Sequence, residues 1–497
     1  KHDLVREIEI DGEEGLFYKS FSIHVALLRG TTSDPNGNIT MERESLLLDN
    51  LAMAQAVKNS GGVVIVQVER IAAAGSLHPR QVVIPGILVD CVVVSPPDYH
   101  LQTYATAYSP AFSAEIRVPV DSMPPMALDV RKVIARRAAF ELTANAVCNL
   151  GIGMPEGVAA VAREEKLLEY LTLTTEPGVI GGVPASGLDF GAAVNTDAII
   201  AQNQQFDFYD GGGLDLACLG MAECDSAGNI NVSRFGSRLA GAGGFINISQ
   251  TARRLVFVGT FTTDGLEVAV GGGKLAILRE GRSRKFVRHV EQITFSGAYS
   301  AQKEQQVYYV TERCVFQLGR DGLELIEIAP GIDLQDDILA HMAFQPIIRN
   351  LRLMDERIFR VEPMELKSEI LRLDLRQRVS YDASRNILFN NFEGMHVRSL
   401  RDVEAIRQAV ERKCKSVGRK VAVVVNYDSF VIEDSVTEAY AEMVRYLIER
   451  YYTEVSRYTT SAFLRVKLDD ALKKQGVTPQ LFETAEQAHG FHQKPDA

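Results

Sequence analysis

The stretch Leu171-Thr-Leu-Thr-Thr-Glu176-Pro-Gly-Val-Ile-Gly-Gly182 places one carboxylate at the end of an apolar strand and at the start of a glycine-rich turn. A residue that precedes proline favours extended backbone, so Glu176 should continue the direction of the strand. Gly178, Gly181 and Gly182 lack a Cβ atom and let another backbone or a ligand approach closely. The stretch therefore predicts a carboxylate positioned to contact a substrate. The alternative is that Glu176 is an ordinary glutamate in a Pro-Gly turn, which the same residues would also fit.

The preceding residues predict a β-α-β unit. Ala146-Val-Cys-Asn-Leu150 has the composition of a buried strand, and Gly151-Ile-Gly153-Met-Pro155-Glu-Gly157 follows it as a tight turn. Pro155 suits the first position of a helix, which continues from Val158 with an amphipathic pattern. The helix N-terminus offers free N–H groups. Parallel pairing of the two strands would bring Glu176 and this turn to the same carboxyl edge of a sheet, where such sheets bind ligands.

Two functional interpretations fit this unit. The first is a nicotinamide-cofactor fold, in which a glycine-rich turn is followed by an acid that holds a ribose at the end of the next strand. The second is acyl transfer, in which Glu176 attacks an activated carbonyl and N–H groups of the turn stabilise the oxyanion. A Gly-x-Gly turn alone is a weak signal and leaves both open.

Two motifs resemble those of family I CoA-transferases. Glu176-Pro-Gly-Val-Ile-Gly resembles the family's Glu-Asn-Gly-hydrophobic-hydrophobic-Gly motif, and Gly151-Ile-Gly-Met-Pro resembles its Gly-x-Gly-x-Pro loop. Pro177 stands where the motif has asparagine. The chain resembles the branch of short-chain acyl-CoA:acetate/3-ketoacid and propionate CoA-transferases, in which that position varies. The resemblance covers residues 1–360.

The resemblance implies a reaction and its site residues. CoA would pass from a short-chain acyl-CoA to a carboxylate acceptor, such as acetate or a 3-keto acid, through a covalent glutamyl-CoA thioester on Glu176. No bound cofactor is implied, because the CoA thioester enters as a substrate. The residues expected to bind CoA or to stabilise oxyanions are the glycines of three turns: Gly151, Gly153, Gly178, Gly241, Gly243 and Gly244.

Two further segments leave structural alternatives open. Leu239-Ala-Gly241-Ala-Gly243-Gly244-Phe-Ile-Asn resembles the family's glycine-rich loop near the CoA site, but close packing of a bend would explain the same glycines. Phe206-Asp-Phe-Tyr-Asp-Gly-Gly-Gly-Leu-Asp-Leu is predicted to be a turn that leads into a strand.

Three rival functions also remain: a CoA thioester hydrolase that uses the same glutamate, a nicotinamide oxidoreductase, and a non-catalytic ligand-binding relative.

An internal repeat predicts two related α/β halves. Residues 26–39 echo residues 217–230 at an offset of 191, and an apolar strand follows each copy. We assign residues 1–126 to the first half and residues 127–360 to the second half, which carries Glu176. The second half starts much further ahead of its copy of the repeat than the first half does, so we expect the first half to be incomplete at its N-terminus.

Residues 361–497 predict a C-terminal α/β appendage outside the resemblance. Residues 379–389 have the pattern of a hairpin, and residues 421–427 that of a buried strand. Ser399-Leu-Arg-Asp402 should cap one helix, and Ser435-Val-Thr-Glu438 has the form of a capping box that opens another. We expect a structural or assembly role for this part.

Composition narrows the class of protein. The net charge of −11, without a Lys/Arg-rich tract, argues against a nucleic-acid partner. The longest apolar runs have the length of strands and cannot span a membrane. Six cysteines without Cys-x-x-Cys spacing and nine scattered histidines favour free thiols in a reducing cytoplasm over disulfides or a metal site. We therefore expect a cytoplasmic enzyme and, from its exposed sheet edges, a homo-oligomer.

Overall fold

Apolar segments alternating with helices form a ten-stranded sheet, as repeated β-α-β units require. Five of its strands are parallel to one another; in chain order they are Val147–Leu150, Thr172–Thr175, Leu216–Gly220, Arg254–Val258 and Gln306–Val310. The first of them lies between the second and the third, so the strand order reverses there, and open α/β sheets bind ligands at such a reversal. In spatial order the ten strands are Ala198–Ile199, Val179–Ile180, Thr172–Thr175, Val147–Leu150, Leu216–Gly220, Arg254–Val258, Gln306–Val310, Cys314–Gly319, Gly322–Ile328 and Arg352–Leu353.

The structure is a computed structural model that describes residues 3–120, 124–371, 375 and 378–492. Contacts along the chain divide it into two compact units, residues 1–370 and residues 371–497. The ten-stranded sheet belongs to the first unit, and the predicted appendage lies largely in the second.

Two layers of helices cover the ten-stranded sheet. Successive side chains of a strand point to opposite faces, so alternate residues of strand Leu216–Gly220 belong to two different apolar cores. Helices Val130–Ala139 and Glu156–Glu164 contribute to one core, and helices Gln202–Asp210 and Phe245–Thr251 contribute to the other. The central strands are therefore buried on both faces, as expected for a parallel sheet.

The N-terminal part of the first unit contains a smaller parallel sheet with a helix on one face. A three-stranded parallel sheet has the order Val25–Arg29, Val63–Val68, Cys91–Val94, with helix Asn50–Asn59 packed against it. Other strands here are Val5–Ile10, Glu13–Tyr18, Thr32–Ser33, Ile39–Thr40, Arg70–Ile71 and Val82–Ile84. The first two matching strands pair in the same register in both halves. Val25 pairs with Val63 in one half and Leu216 with Arg254 in the other, so the two partners are equally far apart along the chain.

The repeated turns have the same hydrogen bonds. The Asp34 carboxylate accepts the Asn38 backbone N–H at 3.0 Å and its side-chain amide at 3.1 Å. The Asp225 carboxylate accepts the same two groups of Asn229 at 3.2 and 3.1 Å. Both turns lead away from the carboxyl end of a parallel strand. The predicted α/β fold with two related halves is therefore confirmed.

Shorter elements complete the first unit. Most form hairpins at the edges of the large sheet or between its strands. They are the strands Val183–Pro184, Ala193–Val194, Glu223–Cys224, Ile230–Asn231, Arg234–Phe235, Arg238–Leu239, Thr262–Thr263, Glu267–Gly271, Lys274–Arg279 and Ser283–Arg284, and the helices Gly297–Gln302 and Lys367–Ile370.

The second unit is an α/β fold with its own apolar core. Its five-stranded sheet has the order Val379–Asp382, Ile387–Asn391, Val421–Asn426, Tyr452–Tyr458, Leu481–Phe482, and a short pair joins His396–Val397 to Val431–Ile432. The helices are Leu400–Val417, Asp434–Tyr451, Ala462–Lys474 and Ala485–Phe491. The hairpin and the buried strand predicted from the sequence lie where expected.

Of the two helix caps predicted in this unit, the one at Ser399 is confirmed and the one at Ser435 is not. Ser399 and Asp402 form a complete capping box at the start of helix Leu400–Val417. The box predicted with Ser435 as N-cap residue is wrong, because helix Asp434–Tyr451 begins two residues earlier than that box requires. Glu433 is the N-cap residue there, and its side chain makes no capping hydrogen bond.

The first unit extends past residue 361, where the sequence placed the start of the appendage. The N–H groups of Met364 and Leu366 donate to the Glu165 carboxylate at 2.6 and 3.0 Å. Both side chains also join the apolar core beside helix Glu156–Glu164. Residues 361–370 are therefore held in the first unit by a carboxylate far away in the sequence, which local pattern could not indicate.

Asp225→Ala should destabilise the first unit by about 1–3 kcal/mol, because the backbone N–H groups of Ala227 and Asn229 would lose their buried acceptor. Urea denaturation followed by circular dichroism measures this loss. Asp321→Ala is the control, since it removes only an exposed ion pair with Arg349 and should leave the urea midpoint nearly unchanged. Equal midpoints for the two variants would contradict a structural role for the repeated turn.

Candidate functional site

Glu176 is the first residue of the turn that follows strand Thr172–Thr175. The chain reverses there, and strand Val179–Ile180 returns antiparallel to the first strand. The Gly178 N–H donates to the Thr175 carbonyl at 3.2 Å. Gly178 has a φ of 115°, and a Cβ atom on it would lie 2.0 Å from a neighbouring carbonyl oxygen. The turn therefore requires glycine at this position, and it holds Glu176 at the end of a central strand.

The predicted β-α-β unit is confirmed. Strand Val147–Leu150 pairs in parallel with strand Thr172–Thr175, and helix Glu156–Glu164 connects them. Glu176 and the 151–157 turn therefore follow the carboxyl ends of adjacent strands, at the same edge of the sheet. One detail differs: Pro155 is the N-cap residue, one position before the first helical residue.

The Glu176 carboxylate lies against the 241–244 loop. A Cβ atom on Gly244 would be 2.9 Å from Glu176 Oε2 and 2.5 Å from Cζ of Phe206. Any side chain at position 244 would therefore collide with the carboxylate or with the phenyl ring. This contact brings together two of the residues predicted from the sequence, and it explains the glycine at position 244 by close approach to Glu176.

Burial raises the pKa of the Glu176 carboxyl group above its ordinary value. No ion pair or hydrogen bond to this carboxylate occurs among the residues that the structure describes. Loss of water disfavours the charged form of a carboxylate, and no cation compensates for that loss here. Glu176 is thus a half-buried carboxylate whose charge is left without a partner, which is typical of catalytic rather than structural carboxylates.

A buried hydrogen-bond network lies next to Glu176, with the Tyr209 hydroxyl at its centre. This hydroxyl donates to Thr174 Oγ1 at 2.8 Å and accepts from Asn149 Nδ2 at 3.2 Å and Gln205 Nε2 at 2.8 Å. Burial is the main cause of the raised pKa of Tyr209, and the nearby charge of Glu176 also raises it. The phenol is therefore neutral and uses its full donor and acceptor capacity.

The network reaches the turn that carries Glu176. Gln205 Nε2 also approaches the Thr175 carbonyl oxygen at 3.4 Å, and the Thr175 hydroxyl donates to the Gly191 carbonyl at 2.9 Å. Two side-chain oxygens of the network, Asn149 Oδ1 and Gln205 Oε1, are buried without a hydrogen-bond partner among the described residues. The residue directly before Glu176 is thus tied down through both its carbonyl and its hydroxyl.

Sequence reasoning missed Gln205 and Tyr209. The segment from Phe206 was predicted to be a turn, and this is wrong for its first part, because residues 202–210 form a helix. Its aspartates and the three glycines that follow concealed the helix. The i, i+4 spacing of Gln205 and Tyr209, which puts both on one helical face, was the available signal.

The two predicted oxyanion donors of the 151–157 turn are already engaged. The Gly151 N–H donates to the Cys218 carbonyl at 2.9 Å, and the Gly153 N–H donates to Glu156 Oε1 at 2.9 Å. An oxyanion here would have to displace one of these partners, so the geometry does not favour the stabilising role expected for this pair. The sequence could not reveal that the Gly151 N–H is engaged, since the Cys218 carbonyl comes from a different strand.

The 241–244 loop offers other N–H groups. The Gly241 N–H donates to the Ser233 carbonyl at 3.0 Å. The N–H groups of Gly243 and Gly244 have no acceptor in the part of the chain that the structure describes. Gly243 has a φ of 55° and open space around its Cα atom. Of the predicted glycines, Gly243 and Gly244 are those with N–H groups free for a ligand.

The N-terminal half borders this site. The Leu48 carbonyl accepts the N–H of Gln202, the first residue of the helix that carries Gln205 and Tyr209, at 3.1 Å. Leu48 has a φ of 52°, a costly conformation for a large side chain, and strained residues cluster at functional sites. The helix next to Glu176 therefore begins against a strained residue of the other half.

Other predicted features concern metals, thiols and membranes. No cluster of side chains that could hold a metal ion occurs among the described residues. All six cysteines are free thiols; Cys91 is exposed and the others are buried. Within the described ranges, no helix combines the length and the apolar character needed to cross a membrane.

Several known proteins with similar sequences are named as CoA-transferases. The sequence profile of the coenzyme A transferase family matches residues 3–95. Caffeate CoA-transferase of Acetobacterium woodii is 52% identical over 364 residues, which are 72% of this chain and 69% of that protein. Acetate CoA-transferase YdiF of Escherichia coli K12 is 46% identical over 361 residues, which are 72% of this chain and 68% of that protein.

A solved structure shares the fold. The crystal structure of the acyl-CoA transferase YdiF from Escherichia coli O157:H7, in a thioester complex with CoA, is 44% identical with a TM-score of 0.69. The match covers 73% of this chain and 69% of that one. This chain belongs to the family I coenzyme A transferases, and it is an acyl-CoA transferase.

Proposed function

We propose that this enzyme moves CoA from a short-chain acyl-CoA to a small carboxylate acceptor through a thioester on Glu176. The observation that carries the proposal is the half-buried, unpaired Glu176 carboxylate at the end of a central strand, in contact with a glycine loop that has two free N–H groups. The related YdiF structure, a thioester complex with CoA, supports a covalent route.

The route exchanges groups between two carboxylates and one thiol. A Glu176 oxygen attacks the thioester carbonyl of the donor, and the CoA thiolate leaves to give an acyl-glutamyl anhydride. The thiolate then attacks the glutamyl carbonyl, which releases the donor's carboxylate and leaves a glutamyl-CoA thioester. The acceptor carboxylate repeats both steps in reverse. Every intermediate is an activated acyl group, so the steps are nearly balanced in energy and need neither metal nor cofactor.

The surroundings of Glu176 suit a nucleophile. A carboxylate that accepts no hydrogen bond keeps its lone pairs for attack, and burial lowers the stability of the charge that the attack removes. The loop at Gly244 lies against one side of the carboxylate, and the Phe206 ring borders the same space, so water has less access from that side. Exclusion of water would protect the anhydride and the thioester from hydrolysis, which favours a transferase over a hydrolase.

The free N–H groups of Gly243 and Gly244 are the proposed oxyanion donors. They are on the loop that touches Glu176 Oε2, whereas those of Gly151 and Gly153 are occupied. One such donor contributes on the order of 3 kcal/mol to transition-state stabilisation. The remaining predicted glycines, Gly178 and Gly241, shape the turn and the loop. This assignment divides the predicted set into donors and shape-determining residues.

The network of Tyr209, Gln205 and Asn149 has a positioning role in this proposal. Gln205 contacts the carbonyl of Thr175, so the network fixes the residue that precedes the nucleophile. Attack needs the carboxylate oxygen within about 3–3.5 Å of the thioester carbonyl in a defined direction. A loosened turn would therefore lower the rate of attack more than the affinity for acyl-CoA.

Glu176→Gln should abolish CoA transfer from acetyl-CoA to a labelled carboxylate such as propionate, because an amide is a poor nucleophile. Glu176→Asp should lower the rate by about 100-fold or more, since it withdraws the carboxylate by one bond length. Product analysis of acyl-CoA species measures the transfer, and Glu267→Gln, which changes an exposed glutamate, is the control. Release of acetate to water as fast as transfer to an acceptor would instead indicate a hydrolase.

Tyr209→Phe should lower kcat by about 10- to 100-fold and leave KM for acyl-CoA within about threefold, because the nucleophile is misplaced while the CoA contacts remain. Tyr309→Phe is the matched control: Tyr309 is also fully buried, and its hydroxyl donates to the Gly228 carbonyl at 2.6 Å. Both variants should lose similar stability, about 1–3 kcal/mol. An equal loss of kcat in both would show that Tyr209 acts only through stability.

The raised pKa of Glu176 predicts two effects of pH. The rate of transfer should fall as pH falls through that raised pKa, so the acid limb should lie above the ordinary glutamate range. The wild-type protein should also lose stability relative to Glu176→Gln as pH rises through the same pKa, since the folded state then holds a desolvated charge. The difference, about 1.4 kcal/mol per unit of pKa shift, should vanish below the unfolded-state pKa.

Thermal unfolding of the two proteins at a series of pH values measures this difference. Stability curves that run parallel from acid to neutral pH would contradict a desolvated Glu176.

A further inference from the structure

Arg457 is a buried charge at the centre of the second unit. It lies on strand Tyr452–Tyr458, and only 1% of its surface is exposed. Its Nη1 donates to the Pro479 carbonyl, and the neutral Tyr427 hydroxyl interacts with the guanidinium, but Nε and Nη2 have no hydrogen bond of good geometry among the described residues. A buried guanidinium that satisfies one of its three nitrogens is costly, because burial removes the water that would otherwise solvate it.

The other buried arginines are satisfied far better. Arg137 and Arg313 form ion pairs with buried or half-buried glutamates. Arg136 donates to four backbone carbonyls, although its Nε also lacks a partner among the described residues. Arg457 has one carbonyl and no carboxylate partner in the described part of the chain. The described residues around Arg457 therefore offer no partner of negative charge.

The neighbouring tyrosines do not supply that charge. Tyr427, Tyr440 and Tyr452 are buried around the guanidinium, and burial raises the pKa of each phenol above its ordinary value. They are neutral at physiological pH. Burial also lowers the pKa of Arg457, but a guanidinium stays protonated in proteins. The positive charge of Arg457 is thus uncompensated by any residue in the described part of this unit.

A cavity of about 20 Å³ adjoins Arg457. It has room for one particle of the size of a water molecule or a chloride ion, and it is too small for a phosphate ester or a nucleotide. Its wall is apolar apart from the guanidinium, the tyrosines and Asn390. The Asn390 Oδ1 is also unpaired, and rotation of the amide by a half turn would present its NH₂ group instead. Among the residues that the structure describes, none that lines the cavity is acidic.

We propose that this cavity is a binding site for a small monovalent inorganic anion of chloride size, held by Nε and Nη2 of Arg457. Both nitrogens lie on one edge of the planar guanidinium and can donate to the same anion. The tyrosine hydroxyls can add a further donor, because Tyr427 and Tyr440 share only one hydrogen bond. A water molecule would fill the space but leave the charge uncompensated. The site lies in the second unit, whereas Glu176 belongs to the first.

The test uses the full chain in sodium chloride and in sodium gluconate at equal ionic strength. Chloride binds only the folded state, so it should raise the unfolding temperature by a few degrees, and gluconate should not. Arg457→Met should remove this difference. Arg385→Met, which changes an exposed arginine of the same unit, should keep it. Circular dichroism and calorimetry are suitable, since the chain has no tryptophan.

Crystals soaked in bromide provide a second measurement that does not depend on a folded variant. An anomalous peak within hydrogen-bonding distance of Nε and Nη2 of Arg457 is expected. Absence of a peak, together with equal unfolding temperatures in chloride and gluconate, would overturn the proposal in favour of water. A bromide peak without any chloride effect on unfolding would also overturn it, as binding at crystal concentration only.

Discussion

The parallel pairing of strands Val147–Leu150 and Thr172–Thr175 is the constraint on which the site depends. It fixes the edge of the sheet at which Glu176 emerges, and Gly178 allows the chain to turn back at once. The carboxylate then meets the loop at Gly244 with no space for a side chain between them. The rigid sheet thus holds the Glu176 carboxylate in a more precise position than flexible loops alone could, as the chemistry requires.

Folding must tolerate an unpaired carboxylate to provide this nucleophile. Two buried arginines of the first unit, Arg137 and Arg313, are compensated by glutamates. Glu176 has no such partner among the described residues, and its pKa rises because of burial. The neutral hydrogen-bond network around Tyr209 fixes the neighbouring backbone without neutralising the charge. Position and reactivity are therefore controlled by different groups.

Much of the fold followed from local sequence, and several site details did not. The β-α-β unit, the repeated turns at Asp34 and Asp225, and the cap at Ser399 are encoded within a few residues, so their pattern was sufficient. The role of Gly151 depends on the Cys218 carbonyl, which only the assembled sheet brings near. The helix that carries Tyr209 was hidden by aspartates and glycines that favour turns. Long-range partners and competing local signals account for what the sequence could not predict.

The most direct test of the central claim is peptide mapping by mass spectrometry after incubation with acetyl-CoA in the absence of an acceptor. The account predicts a CoA-sized mass on the peptide that contains Glu176, with none in Glu176→Gln. Borohydride should cleave this thioester and convert the Glu176 side chain to an alcohol. An adduct on another residue, or active transfer without any adduct on this peptide, would contradict a covalent glutamyl-CoA intermediate.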